Sequence, residues 1–409
     1  MKVWLKLLIG TVLGIIIGFI LPSSTALSNN LAWLGELAIR IGRYVLVPIL
    51  VFSLSISVYE LRQDGRLWGL ILKTIPVILL CSAFVIGAGI LAAIIFPPGR
   101  IPILSIQQAE AISLNTQDNI MNLFPSNMFA SLAGDGVYLL PVCIFAFFMG
   151  IGFSYDRNYT KPVISLFDSL SRIFYHITTI FSEVLGILMI ILGAYWAVRY
   201  NAILEADVYS DLLTLLVVMS ILLGCGILPL FLYLLGPRVN PWKVLYGCIN
   251  QGLTGFFSGD INFTLPVLLR SVKENLGVRR RANTITVTLF AFFGRAGSAM
   301  VAAVSLMVII NSYSSLDIGM GNIISIGTSA LLISFLLPAT PGNGAYTALA
   351  VLCIGYGQGF EAGYLILRPI AFYLIAIGTF LDVMITSIAS YGISHVSGFQ
   401  EDNDIKSFI

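Results

Sequence analysis

The chain is 409 residues long, and 58% of these residues are hydrophobic while only 10% are charged. Soluble domains carry about a quarter charged residues. The composition, with a mean hydropathy of +0.94, therefore excludes an ordinary soluble protein and indicates a membrane protein. The formal net charge is +2. The five cysteines form no CxxC pair and the two histidines are far apart, which excludes a metal knuckle and a disulfide framework.

Eight apolar runs are long enough to cross a bilayer of about 30 Å as helices. They cover residues 3–21, 34–58, 67–96, 137–154, 162–199, 208–236, 282–311 and 360–396. The first run follows a basic N-terminus, as in a signal peptide. It meets no small-residue cleavage pattern, so we predict a retained helix.

Two further apolar stretches differ in kind, because Gly, Pro or polar residues interrupt each of them at its centre. They are residues 243–273, which contain FFSGDINFTLP, and residues 322–356, which contain LLPATPGNGAY. Neither half of such a stretch is long enough to cross the bilayer. Non-helical backbone at that depth is tolerated only inside protein or beside an aqueous cavity. We therefore predict two re-entrant helical hairpins.

The basic residues predict the orientation, because cytoplasmic loops of membrane proteins carry an excess of Lys and Arg. With both termini in the cytoplasm, the inside loops hold Lys2, Lys6, Arg62, Arg66, Arg157, Lys161, Arg238, Lys243, Arg270, Lys273, Arg279, Arg280 and Arg281. The outside loops hold little beyond Arg100 and Arg199. The first hairpin then enters from inside and the second from outside. This inverted arrangement is typical of secondary transporters with a site near the midplane.

Charged and polar residues at membrane depth mark candidate sites, since such residues are costly in hydrocarbon. In the C-terminal part they are Asp260 and Asn262 in the first interruption, Arg295 in FFGRAGS, Pro338, Pro341, Gly342, Asn343 and Gly344 in the second interruption, and Asp382 with Thr386 in the last run. In the functional interpretation these groups converge, and Arg295 faces Asp260, Asp382 or a substrate carboxylate. The alternative is a buried Arg–Asp pair that only holds helices together.

Other polar residues at this depth more often face neighbouring helices than carry chemistry. One helical stripe consists of Asp168, Arg172, His176, Thr179 and Glu183. Within this stripe, Glu183 is a candidate proton acceptor. Arg40 and Arg43, with Glu36 one turn before Arg40, are expected near the cytoplasmic half of their run, where long side chains reach the interface.

Several stretches, taken together and in chain order, resemble the glutamate-transporter homologues, the dicarboxylate/amino acid:cation symporters. They are KLLIGTVLGIIIGFILP, IRIGRYVLVPILVFSL, NIMNLFPSNMFASLAGDGVYLLPVCIFAFFMGIG, FTLPVLLRSVKENLGV, ATPGNGA and FLDVMITSIAS. The resemblance covers nearly the whole chain. It implies an all-α membrane fold of eight transmembrane helices and two re-entrant hairpins with inverted repeats. It also implies a homotrimer and an elevator motion of a transport domain against a fixed scaffold.

The same resemblance implies a division of the chain and a class of solute. The scaffold would comprise helices 1–2 in residues 1–66 and helices 4–5, with an extracellular loop, in residues 99–207. The transport domain would comprise helix 3 in residues 67–98, and helix 6, hairpin 1, helix 7, hairpin 2 and helix 8 in residues 208–409. The implied substrate is a small acidic or neutral amino acid or a C4 dicarboxylate. The implied coupling ion is Na⁺ or H⁺, with no other cofactor, and we expect the inner (cytoplasmic) membrane of a bacterium.

Carried over residue by residue, Asp382 matches the family's aspartate that contacts the substrate amino group, Thr386 matches a substrate-contacting threonine, and Gly342 and Gly344 fall in the gate. Several departures remove oxygen ligands. The family's NMDGT is replaced here by Gly294, Arg295, Ala296, Gly297 and Ser298. The serine triplet of the first hairpin is replaced by Asp260, Ile261 and Asn262. In the last helix, an arginine, an asparagine and an aspartate of the family are replaced by Ile385, Ala389 and Ile393. Hard cations need several oxygens at close range, so we predict that the family's sodium sites are degraded. Arg295 would then be a tethered cation that stands in for sodium or for the missing arginine.

The sequence thus predicts a secondary transporter of a small carboxylate-bearing solute. The expected substrate-binding residues are Asp260, Asn262, Arg295, Ser298, Pro341, Gly342, Asn343, Gly344, Asp382 and Thr386, with no metal ligand. The expected partners are the solute, membrane lipid and further copies of the chain, and no nucleic acid. The alternative is a transporter-derived membrane sensor or binding protein that does not cycle. An intramembrane enzyme is not expected, because no Ser/His, HExxH or paired catalytic motif is present.

Overall fold

The structure, a computed structural model, describes residues 2–21, 25–102, 121–134, 136–202, 206–235, 240–313, 319–401, 403 and 408. Within these ranges the regular structure is helical, and the one β contact is an isolated bridge between Val278 and Gln400. This confirms the all-α class that the sequence predicts.

The α-helices of the described ranges are α1 (Val3–Ile20), α2 (Thr25–Arg43), α3 (Leu46–Ile49), α4 (Ser55–Gln63), α5 (Leu67–Ile95), α6 (Leu140–Gly152), α7 (Arg157–Ala202), α8 (Ser210–Ile221), α9 (Leu228–Leu235), α10 (Pro241–Ser258), α11 (Ile261–Glu274), α12 (Arg280–Phe293), α13 (Ala296–Tyr313), α14 (Met320–Ser334), α15 (Gly344–Tyr356) and α16 (Ala371–Val396). Two π-helical segments, Leu50–Leu54 and Leu222–Ile227, join α3 to α4 and α8 to α9. A 3₁₀ segment, Gly363–Ile370, leads into α16.

Seven helical stretches of the described residues are long and apolar enough to cross a membrane. They are Val3–Ile20, Leu27–Gln63, Leu67–Ile95, Tyr159–Tyr200, Ser210–Leu234, Arg280–Tyr313 and Gly363–Val396. Each of them matches one of the predicted runs, and the chain is a multi-pass membrane protein. The remaining run, 137–154, holds α6, whose 13 residues reach only about 20 Å at 1.5 Å per residue. α6 is short because the helix begins only at Leu140, with Pro141 in its first turn.

Both interrupted stretches break where the sequence predicts. In the first, α10 ends at Ser258, Gly259 adopts a left-handed conformation (φ +62°), and α11 begins two residues later. In the second, α14 and α15 are separated by residues 335–343. We call residues 258–262 the first tip and residues 337–344 the second tip.

The two helices of each pair run back along each other, so both far ends lie together. Nδ2 of Asn275, just beyond α11, donates to the carbonyl of Gly247 near the start of α10 (3.2 Å). Nδ2 of Asn322 in α14 donates to Oη of Tyr356 at the end of α15 (3.3 Å). Each pair is therefore a hairpin in the geometric sense.

Contacts between distant loops group them into two sets. Arg281, in the first turn of α12, forms an ion pair with Asp64, just after α4, and both belong to predicted cytoplasmic loops. Gly99 donates its backbone N–H to Asp211 (3.2 Å), and both belong to predicted extracellular regions. Each contact joins segments that the predicted topology puts on one side of the membrane, and the orientation of the chain stays a prediction.

α13 forms the centre of the fold. Every residue from Ala296 to Ile310 is buried, and the helix packs against α5, α15 and α16. A helix that is buried all round must have its polar groups satisfied by its neighbours. The residues at its N-terminal end therefore define the site described below.

α1 and α7 pack through glycines. A Cβ atom at Gly10 would collide with the carbonyl oxygen of Gly186, and one at Gly14 with the carbonyl oxygen of Ile190. Small residues allow helix backbones to approach closely within a membrane protein.

The change Gly10→Ala is expected to lower the apparent melting temperature of the purified protein, because the added methyl group meets a backbone oxygen that has no rotamer to change. Overpacking of this kind destabilises by about 1–3 kcal/mol. The matched control is Gly87→Ala in α5, where a Cβ meets nothing within 4 Å. Tryptophan-fluorescence melting in detergent measures both variants, and equal shifts for the two would contradict this account of the α1–α7 contact.

Candidate functional site

The break between α12 and α13 places a charged side chain at the centre of the protein. α12 ends at Phe293, where Gly294 leaves the helical conformation (φ −102°, ψ 39°), and α13 begins at Ala296. Arg295 lies between the two helices and its side chain is fully buried. The first N–H groups of a helix have no partner within it. The break therefore presents a guanidinium and several N–H donors to the neighbouring helix α16.

Asp382 of α16 accepts these donors with both carboxylate oxygens. Oδ2 accepts from Nε of Arg295 (2.8 Å) and from Oγ of Ser298 (2.6 Å). Oδ1 accepts from the backbone N–H groups of Gly297 (2.7 Å) and Ser298 (3.1 Å). The carboxylate thus caps α13 from another helix and neutralises the arginine. We call Arg295 and Asp382 the interior pair.

The interior pair has no solvent exposure on either side chain. Charge-assisted hydrogen bonds of good geometry make such burial possible. The guanidinium makes one more contact, from Nη2 to Oγ of Ser298 (3.3 Å). Among the described residues its Nη1 atom has no hydrogen-bond partner. The carboxylate of Asp382 is therefore fully engaged, whereas the N–H groups of Nη1 of Arg295 are unused among the described residues.

Two glycines let the surrounding backbone reach the interior pair. A Cβ atom at Gly344, the first residue of α15, would collide with Nη2 of Arg295. A Cβ atom at Gly378 in α16 would lie 3.0 Å from the Cα of Ser298. The second tip thus lies directly against the guanidinium because its last residue has no side chain.

Thr386 faces the backbone of its own helix. Its Oγ1 atom donates to the carbonyl of Asp382 one turn earlier (2.7 Å), and its side chain is fully buried. Thr386 thus lies one helical turn from Asp382, and within the described ranges its hydroxyl makes no hydrogen bond to the charged atoms of the interior pair. Its predicted contact with a solute stays a prediction.

The first tip contains a second buried ion pair. Asp260 is the N-cap of α11, and its Oδ1 atom accepts from the N–H of Phe263 (2.9 Å). Its Oδ2 atom accepts from Nη2 of Arg43, at the end of α2. The exposed fractions of the two side chains are 1% for Asp260 and 16% for Arg43. Asp260 thus pairs with Arg43 and not with Arg295, so the predicted convergence holds for Arg295 and Asp382 alone.

The two tips touch. The N–H of Ile261 donates to the carbonyl of Pro341 (3.5 Å). A Cβ atom at Gly342 would lie 2.8 Å from Oδ2 of Asp260 and 3.4 Å from Nη2 of Arg43. The second tip therefore covers the Arg43–Asp260 pair with backbone that carries no side chain at that point.

The other two tip residues of the predicted set face elsewhere. Nδ2 of Asn262 donates to the carbonyl of Val137, just before α6 (2.8 Å). Asn343 is exposed and precedes the first residue of α15. Asn262 thus joins the first tip to the lead-in of α6, and Asn343 is available at the surface of the second tip.

A polar cavity of about 1050 Å³ lies between α2 and the two tips. Its charged lining residues are Glu36, Arg40, Arg43 and Asp260, and residues 339–343 of the second tip complete it. The cavity is large enough for a small amino acid or dicarboxylate. Arg295 and Asp382 do not line it.

Arg43 is the site residue that the sequence analysis placed elsewhere. It was expected near the cytoplasmic interface, but it lies at the first tip, almost buried. The signal was present, because Arg43 interrupts an apolar run as Arg295 does. Its partner, Asp260, stands 217 positions away, and no local pattern joins them.

Glu183, the predicted proton acceptor, is engaged by two cations. Its Oε2 atom accepts from Lys6 of α1, and its Oε1 atom lies 3.3 Å from Nη1 of Arg270 in α11. Arg270 is also within 3.2 Å of Glu274. The glutamate belongs to an ion-pair network between α1, α7 and α11. Proton transfer at Glu183 stays a prediction.

Comparison with known proteins places this arrangement in a family. The profile of the Sodium:dicarboxylate symporter family matches residues 3–398. The chain belongs to this family. Members of the family are transporters, which confirms the resemblance noted above and the prediction that the chain is not an enzyme.

Individual relatives are similar along most of their length. The chain is 23% identical over 370 residues, 85% of its own length and 83% of the relative's, to a proton/sodium-glutamate symport protein of Geobacillus stearothermophilus. It is 23% identical over 402 residues to an excitatory amino acid transporter of Onchocerca volvulus, and this alignment covers 83% of this chain and 79% of that protein. At this level of identity, the alignment alone does not assign the binding residues of a relative to positions of this chain.

The α12–α13 break offers few side-chain oxygen atoms. Sodium, like other hard cations, is bound by several oxygen atoms at close range. Here Gly294, Ala296 and Gly297 offer no side-chain oxygen, and a guanidinium stands among them. The carboxylate of Asp382 accepts four hydrogen bonds from donors of this chain. A second cation beside Arg295 would meet repulsion rather than ligands.

The change Arg295→Met is expected to lower the free energy of unfolding by about 3–5 kcal/mol, because it leaves Asp382 charged and buried without its cation. The double change Arg295→Met with Asp382→Asn removes both charges and should recover most of that loss. Melting of the two variants and of the single change Asp382→Asn gives the coupling between the residues. Additive effects of the two single changes would contradict an energetic role for the interior pair.

Proposed function

We propose that the protein is a secondary transporter of a small carboxylate-bearing solute, an acidic amino acid or a dicarboxylate, and that it works without a sodium site of the family type. The observation that carries this proposal is the meeting of two helical tips beside a polar cavity lined by two arginines. Secondary transporters bind their solutes where the ends of broken helices meet.

The relatives support the solute class. Two of them are named as glutamate symport proteins or excitatory amino acid transporters, and the family is named for dicarboxylates. Carboxylates are recognised by guanidinium groups and by helix N-termini. Arg43 supplies a guanidinium group at the cavity wall, and α11 and α15 both begin at the cavity.

The interior pair supports independence from sodium. Arg295 is a cation that cannot leave and cannot deprotonate, and it lies where a mobile cation would otherwise balance Asp382. Transport would then be driven by the solute gradient alone or by protons. Glu183 is the residue at which we propose that a proton is taken up.

The architecture of the family is part of the proposal. The chain would form eight transmembrane helices, with α6 as the core of the fourth, and two re-entrant hairpins. Residues 1–66 and 99–207 would form the scaffold, and residues 67–98 and 208–409 would move as an elevator. The tight contact of α1 with α7 and the central place of α13 among α5, α15 and α16 support this division. Three copies would assemble in the inner membrane of a bacterium, with both termini in the cytoplasm.

A second candidate function is a membrane sensor or binding protein that does not cycle. One observation favours it. Asp382, the residue that matches the family's contact with the substrate amino group, is saturated by donors of its own chain. A site that is permanently occupied in this way does not need to open and close. Uptake compared with binding distinguishes the two functions.

Purified protein in liposomes is expected to take up labelled L-glutamate or succinate at the same rate, within about twofold, when external Na⁺ is replaced by K⁺ at constant pH. The reason is that the residues offer hard cations too few oxygens. Empty liposomes and an acidified exterior are run in parallel, and the second shows whether protons drive uptake. Uptake that requires Na⁺ would contradict the proposal. Binding without uptake would favour the sensor.

The Arg295→Met and Arg295→Ala variants test the role of the tethered cation in the same assay. Both are expected to lose most of the uptake, by about tenfold or more, as for the loss of one buried charge-assisted interaction. The double change Arg295→Met with Asp382→Asn separates a folding defect from a lost function. Unchanged uptake in either single variant would remove Arg295 from the mechanism.

A further inference from the structure

Resting on the proposed function, we infer that Arg43 of α2 binds the carboxylate of the solute, and that Asp260 of the first tip holds this arginine until a solute carboxylate replaces it. Two observations lead to this assignment. Arg43 lines the polar cavity, and its ion pair with Asp260 is nearly buried, with exposed fractions of 16% for Arg43 and 1% for Asp260. The interior pair does not line that cavity.

Arg43 has unused donor capacity. A guanidinium carries five N–H donors in a planar fork that suits a carboxylate. The hydrogen bond to Asp260 uses Nη2, and among the described residues Nε has no hydrogen-bond partner. Buried polar atoms of this kind usually have a partner. A second carboxylate that approaches the guanidinium of Arg43 from the cavity would supply the missing partner of Nε.

Asp260 can release Arg43 without losing all of its stabilisation. Its Oδ1 atom accepts from the N–H of Phe263, and its own N–H donates to Oγ of Ser258 (3.2 Å). It is the N-cap of a 14-residue helix, and the positive end of the helix dipole favours a negative charge there. By contrast, Asp260 is the one hydrogen-bond acceptor that Arg43 has among the described residues.

The second tip completes the site. Gly342 leaves room beside both Oδ2 of Asp260 and Nη2 of Arg43, and the exposed Asn343 stands at the start of α15. A carboxylate that takes the place of Asp260 at Arg43 would therefore face the N-terminal end of this 13-residue helix. Glycine at this point is required for the approach, because a side chain would fill the position.

The test measures binding of succinate to the full-length protein in nanodiscs, with succinamide as the probe that lacks carboxylates. We expect wild type to bind succinate and not succinamide. The double variant Arg43→Met with Asp260→Asn removes both charges, so it avoids a lone buried charge, and it should bind succinate about tenfold or more weakly. Asp260→Asn alone should bind succinate more tightly than wild type, because the competing carboxylate is gone.

Arg40→Gln is the matched control. Arg40 lines the same cavity from the same helix, but its side chain is 74% exposed and bonds to Glu36. We expect its affinity for succinate to stay within about threefold of wild type, since exposed ion pairs contribute little. A melting curve of each variant establishes that it is folded.

Three results would overturn the assignment. They are an absence of succinate binding by wild type, wild-type affinity in the double variant, and weaker binding by Asp260→Asn. Uptake of glutamate or succinate by the double variant in liposomes, at the wild-type rate, would leave the proposed transport function standing while Arg43 is rejected. The two inferences therefore fail separately.

Discussion

A guanidinium inside a membrane protein keeps its charge and therefore needs a permanent counter-ion. Arg295 has this counter-ion in Asp382, and the pair determines how the centre of the protein is built. The break before α13 frees the N–H groups that bond to the carboxylate. The glycine at the start of α15 then lets the second tip approach the guanidinium. The charge of Arg295 thus determines how the start of α13, Asp382 of α16 and the second tip are arranged.

The same physical requirement produces a different result at the first tip. Asp382 has four hydrogen bonds and no contact with the cavity, whereas Asp260 receives one hydrogen bond from Arg43 at the cavity wall. Asp260 and Asp382, which the sequence predicts in one substrate site, therefore belong to two separate ion pairs. The interior pair does not contact the cavity, whereas the Arg43–Asp260 pair lines it. In the proposed function, the tethered cation at the first position takes the place of sodium there. The second position offers a cation that a solute can reach.

The sequence predicts what depends on local chemistry. FFSGDINFTLP and LLPATPGNGAY mark the helix breaks because Gly, Pro and N-capping residues act within a few positions. The interior pair was foreseeable because few acidic residues lie at membrane depth, so the choice of partners for Arg295 was small. The partner of Asp260 was not foreseeable in this way. It depends on where α2 ends relative to a tip 217 residues later, and such a distance is set by the packing of the whole fold.

Competition for one guanidinium has a further consequence. If a solute carboxylate and Asp260 exclude each other at Arg43, each weakens the binding of the other by the same factor, since linkage between two binding events is reciprocal. The contact between α2 and the first tip then depends on whether a solute is bound. Here the negative charge of the solute would release the first tip from α2. Without a solute the first tip would stay attached to α2, because separating them would leave the nearly buried charges of Arg43 and Asp260 without partners.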